Sequence, residues 1–63
     1  MQPHQQRVVE EKGELDIKRA ALERFLGGQV FTTLDPNEQA RLRLQLSAMN
    51  TYSEVLALRI AAF

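Results

Sequence analysis

The sequence predicts an all-α fold, an antiparallel two-helix hairpin that assembles into a symmetric helical homo-oligomer. Three observations lead there. Apolar residues recur at helical spacing in both halves of the chain, a glycine pair and a helix-start signal divide the halves, and the second half carries more apolar surface than one partner helix can cover.

Helix one is expected over about residues 3–26, the connector over about 27–35 and helix two over about 36–62. Pro3 suits a first helical position, where its missing N–H costs nothing. Val8, Leu15 and Leu22 follow at steps of seven, flanked by Val9, Phe25 and Leu26, and form a narrow apolar stripe. Gly13 weakens this helix by up to about 1 kcal/mol relative to alanine without breaking it. Gly27 and Gly28 then supply the left-handed residue on which many helices end. Val30, Phe31 and Leu34 form an apolar connector that folds over the hairpin end. Asp35 caps helix two, Pro36 takes its first position and Glu38 completes a capping box. Beyond them Leu42, Leu46, Met49, Leu56, Ile60 and Phe63 make the main stripe, and Leu44, Ala48, Tyr52, Val55 and Ala62 a second line beside it.

Length and composition narrow the function classes. A single domain of 63 residues holds a core worth no more than about 3–5 kcal/mol without reinforcement. There is no cysteine and one histidine, which excludes disulfides and leaves too few of the Cys and His ligands that structural zinc sites draw on in fours. Self-association is the remaining common reinforcement. Eight basic and eight acidic side chains cancel, so no overall positive field gathers nucleic acid and no DNA partner is expected. No apolar run approaches the roughly 18 residues of a membrane span, and the start of the chain lacks a signal-peptide core. Without a nucleophile constellation, a phosphate loop or a zinc motif, the chain is expected to bind rather than catalyse, with no cofactor.

Candidate binding residues are charges that interrupt the apolar pattern. Lys18 stands three after Leu15 and four before Leu22, and Glu11 holds the equivalent place one heptad earlier. One account has both flanking the seam and pairing with charges on a neighbouring copy. The other has Lys18 meeting a phosphate in a crevice between protomers, with Glu11 orienting it or meeting a base edge. Arg59, at the edge of the apolar face near the end of helix two, complements the helix dipole or reads a phosphate fork. Arg7 and His4 belong to the entry to helix one, where an imidazole held at an interface can stack on a base. Thr32, in the connector, is a further candidate for ligand contact. Arg41 and Arg43 are most simply solvated or paired with acidic residues.

The run QQRVVEEKGELDIKRAALERFL, the connector VFTTLD and the series EQARLRLQLSAMNTYSEVLALRIAAF resemble the phage helical hairpin domain of the anti-CBASS and Thoeris anti-defence sponge proteins. The resemblance covers nearly the whole chain. It implies a phage protein without enzymatic activity that sequesters the cyclic nucleotide messengers of bacterial immunity in the host cytoplasm. It further implies a homohexamer with pockets between protomers for cyclic dinucleotides such as cyclic GMP-AMP, separate pockets for cyclic trinucleotides such as cyclic triadenylate, and in some relatives binding of cyclic ADP-ribose derivatives. By similarity Lys18 is the phosphate-binding residue of helix one and Arg59 belongs to the trinucleotide pocket. His4, or Pro3 if the alignment slips by one, stands where some relatives carry a stacking aromatic. Two other readings remain: a dimeric four-helix bundle that binds structured RNA, and a structural adaptor for a larger phage or host protein. The interleaving of Arg7, Lys12, Lys18 and Arg19 with Glu10, Glu11, Glu14 and Asp16 counts against the RNA reading.

Overall fold

A computed structural model describes all residues, 1–63. Helix α1 spans Pro3–Leu26, a single turn α2 spans Gln29–Thr32, and α3 spans Pro36–Ala61. α1 and α3 pack along their length as a hairpin measuring 46 × 14 × 13 Å. So thin a body has no interior in the usual sense. Only Val8, Phe31, Ser53 and Leu56 are buried, and Leu56 alone is fully so.

Each element starts and stops for a local reason. At α1 the Gln5 side chain accepts from the Gln2 N–H at 2.9 Å, with Pro3 in the first turn. The glycine pair ends α1 as expected, but not by a left-handed residue: Gly27 has φ −87° and Gly28 φ −95°. The chain instead closes with Gly27 N–H bonds to Glu23 and Arg24 carbonyls and passes through an extended Gly28 into α2. The connector is therefore partly helical. At α3 the Asp35 carboxylate accepts from the Asn37 N–H at 2.7 Å, the expected cap. The expected capping box is not made, because Glu38 turns outward to accept from Arg41 Nε at 2.8 Å.

The hairpin end is tied by side chains. Gln39 Nε2 donates to the carbonyls of Phe31 at 3.1 Å and Leu34 at 3.0 Å, so α3 holds the returning connector. Phe25 meets the buried Phe31 edge-on, with centroids 6.4 Å apart. The Arg43 guanidinium lies 4.9 Å from the Phe31 ring centroid, so it is neither simply solvated nor ion-paired but attracted to the ring face.

The seam follows two heptad series. On α1 the less exposed positions include Gln5, Val8, Lys12, Leu15, Arg19, Leu22 and Leu26; on α3 they include Gln39, Leu42, Leu46, Met49, Ser53, Leu56 and Ile60. Both alternate steps of three and four, the spacing that keeps one stripe facing a partner helix. Lys18 and Glu11 are therefore not in the stripe, contrary to expectation: both are exposed, and Arg19 and Lys12 hold the corresponding seam places. Phe63, expected at the end of the main stripe, is 45% exposed.

A polar layer sits at mid-seam. The Asp16 carboxylate accepts from Lys12 Nζ at 2.6 Å, from Ser53 Oγ at 2.6 Å and from Arg19 Nε at 3.1 Å. Arg19 Nη1 continues to Asn50 Oδ1 at 2.6 Å. The Lys12 and Ser53 hydrogen bonds, with that of Arg19, hold the Asp16 carboxyl far below its ordinary range against a smaller opposing effect of desolvation. Ser53 fills the seven-residue gap between Met49 and Leu56, so the gap is a paired hydroxyl rather than a flaw.

Two outcomes follow. Leu56→Ala is expected to remove about 2–5 kcal/mol, comparable with the whole stability of a core this small, and to abolish cooperative unfolding followed by circular dichroism; Ile17→Ala, at a site 73% exposed, should shift stability by less than about 0.5 kcal/mol. A depressed native pKa means that the Asp16 contribution is complete above the unfolded value of about 3.9 and is lost as pH falls toward the native one. Urea midpoints should therefore decline below about pH 4, and Asp16→Asn should lower the neutral-pH midpoint while flattening that decline.

Candidate functional site

The stagger that places Asp16 opposite Ser53 and Arg19 opposite Asn50 also fixes which exposed residues share a side. At about 100° per residue, His4, Arg7, Glu11 and Lys18 form a line along one flank of α1, on the side of the seam away from Asp16. In an antiparallel pair the corresponding flank of α3 carries Gln45, Tyr52 and Arg59. The register brings Tyr52 level with Lys18 and Arg59 level with Glu11, each to within about one residue. One broad side of the hairpin thus displays three cations and an aromatic, with Lys18 and Arg59 about 12 Å and Arg7 and Arg59 about 5 Å apart along the axis.

None of those cations has an internal ion-pair partner. The ion pairs of the chain are Lys12 with Asp16, Arg19 with Asp16, and Arg41 with Glu38. Arg7, Lys18 and Arg59 are exposed and keep their donors available to an anion. Glu11 is also exposed and unpaired, so it tempers the positive character of this side and offers an acceptor to a base edge.

The sequence-predicted residues are only partly gathered. His4, Arg7, Glu11, Lys18 and Arg59 share the flank just described. Pro3 occupies the first turn of α1, exposed. Thr32 lies in α2 at the connector end, and its hydroxyl donates to the Gln29 carbonyl at 2.6 Å. Roughly 30 Å of helix separates it from His4, so no single site within one hairpin can use both. Tyr52, 43% exposed, belongs to this side and was read from sequence only as part of an apolar line. Its level position beside Lys18 depends on the hairpin stagger, which no spacing along one helix reveals.

Of the second apolar line of α3, Leu44, Ala48, Val55 and Ala62 lie not beside the first but opposite it, and Tyr52 lies on the flank between them. Leu44 is 71% exposed, Val55 46% and Leu58 66%, on the outer face of the hairpin. The single hairpin has no cavity, and no three His, Asp or Glu side chains converge as metal ligands do. No helix is long and apolar enough to cross a membrane.

The chain is 41% identical over 63 residues to a protein of Enterobacteria phage T4 described as an uncharacterized 7.5 kDa protein in the denB-rIIB intergenic region, a match covering 100% of this chain and 98% of that one. No solved structure matches it significantly. A family model described as Sequestin matches residues 2–62, very nearly the whole hairpin, and the chain belongs to the Sequestin family.

Proposed function

We propose that this protein is a phage anti-defence sponge that binds cyclic oligonucleotide immune messengers in the host bacterial cytoplasm and holds them without degrading them. The observation that carries the reading is the broad side on which Arg7, Lys18 and Arg59 stand unpaired beside Tyr52. Cations of this kind form charge-assisted bonds to phosphate, and base stacking on an aromatic contributes about 1–3 kcal/mol per base. Family membership and the likeness to a phage protein support the sequestering part of the proposal.

A single convex hairpin cannot enclose a nucleotide, so the pockets lie between copies in a symmetric assembly, a hexamer by resemblance. Each copy contributes one wall. Lys18 meets the phosphates of cyclic dinucleotides, with Arg7 and Glu11 beside it and His4 at the free end of the same flank. Arg59 serves the cyclic trinucleotides, and cyclic ADP-ribose derivatives are candidate ligands of the same chemistry. Function then rests on mass action: a dissociation constant near 1 nM, about 12 kcal/mol, keeps free messenger below the threshold of a host effector when the protein is abundant.

Calorimetry against cyclic dinucleotides, cyclic triadenylate and cyclic ADP-ribose isomers tests the assignment. Tight binding of at least one ligand, recovered intact after heat denaturation, is expected; heat signals indistinguishable from buffer across the panel would end it. Lys18→Ala should weaken dinucleotide binding about tenfold or more, the loss of one charged hydrogen bond, with the mass measured by light scattering unchanged. Arg59→Ala should act mainly on the trinucleotide. Dissociation of the assembly by either change would instead make that residue an interface charge.

A further inference from the structure

The outer face of α3 carries a second heptad series. Leu44, Ala48, Thr51, Val55, Leu58 and Ala62 follow at steps of four, three, four, three and four, without a charged residue among them. This is the spacing of the hairpin seam itself, set on the opposite side of the helix, and it is exposed. Such a stripe is built to face another helix.

The sizes along it identify the helix. The series is symmetric about a point level with Ser53, so a second α3 laid against it antiparallel aligns Leu44 with Ala62, Leu58 with Ala48, and Val55 with Thr51. Both leucines then meet alanines and the near-isosteric Val55 and Thr51 meet at the centre, so large and small residues interdigitate in the outer layers. A parallel pairing would set Leu44 on Leu44 and leave Ala48 facing Ala48, so wide leucine layers would hold the alanine layers apart and leave gaps there. We infer that the outer face of α3 pairs antiparallel with the same face of a second copy, in the register that seats Leu58 against the partner copy's alanine at position 48.

This pairing has a consequence for ligand binding, and that consequence rests on the proposed function. The two-fold axis of an antiparallel helix pair runs perpendicular to both helices, so it maps the Lys18 side of one copy onto the same side of the other. Tyr52 flanks the stripe on that side and comes next to its own symmetry mate at the axis. The two tyrosines, with Lys18 and Arg59 from each copy around them, then make a two-fold-symmetric cationic platform that neither hairpin possesses alone. Glu54 flanks the stripe on the other side and is kept away from that platform.

A size-exchange cycle tests the register, with the full chain and without ligand. Leu58→Ala leaves a cavity and Ala48→Leu overfills its layer, so each alone should weaken self-association about tenfold or more in sedimentation equilibrium. The double variant Ala48→Leu/Leu58→Ala restores one large and one small residue per layer and should recover affinity to within about threefold of the parent. Helical content should be equal in all four proteins, since neither position lies in the hairpin seam. A monomeric parent, or a double variant no better than the worse single one, would overturn the inference. Calorimetry on the same samples separates the two ideas: association that follows the cycle with no nucleotide bound defeats the sponge alone, and nucleotide bound equally by all four proteins defeats the interface as its platform.

Discussion

The Asp16 carboxylate is the constraint on which the rest of this hairpin depends. Apolar seams of leucine and valine tolerate sliding by a turn and rotation by a fraction of one, because a methyl group finds a methyl group in either arrangement. A carboxylate that collects an ammonium and a guanidinium from its own helix and a hydroxyl from the facing one does not. Slipping the helices by one turn would leave the Ser53 hydroxyl buried without its partner and release Asn50 from Arg19, and an unmet buried polar group is costly. The network therefore contributes register as well as stability, the role for which buried polar groups in helical seams are best attested.

Register decides which faces remain free. With Asp16 opposite Ser53, the inner heptad of α3 is covered by α1 and the outer one is left bare, while the flank with Lys18 is brought beside the flank with Tyr52 and Arg59. A hairpin 13–14 Å thick has almost no residue that is not also surface, and a helix with apolar stripes on opposite sides is stable only between two partners. Helix α1 supplies one of them. The interface inferred above would make a second chain the other, and in that assembly both stripes of α3 would be covered.

The hairpin itself was legible because its signals are local: the step of seven from Val8 to Leu22, the glycine pair, and Asp35 before Pro36. The rotation of α1 about its own axis was not. Between Leu15 and Leu22 a helix can place either Lys18 or Arg19 on the apolar stripe, since three-then-four and four-then-three are equally good helical spacings, and nothing in α1 alone chooses. The choice is made by Ser53 and Asn50, which lie across the seam and read in sequence as unremarkable polar residues. The same blindness put the outer stripe of α3 beside the inner one. Leu44 and Leu42 are two residues apart, which on a helix is nearly opposite, but a list of apolar positions does not display that angle unless a partner is assigned to one face first. Glu38 illustrates the smaller scale: a capping box and an Arg41 ion pair compete for one carboxylate, and the i, i+3 pair is what forms.

A sponge assembled from such hairpins would couple its own association to its cargo. If a ligand sits on a platform shared across a two-fold axis, it binds the dimer and not the monomer, and so stabilises the dimer by an amount that grows with the logarithm of ligand concentration. The coupling is reciprocal, so each increment of association tightens ligand binding equally. For a chain whose own core is worth only about 3–5 kcal/mol, that linkage would turn a weakness into a property suited to sequestration: free hairpins would be marginal, loaded assemblies would not, and release would require the interface to open as well as the phosphates to be let go. Slow release would then arise from the shared architecture, without any single contact of unusual strength.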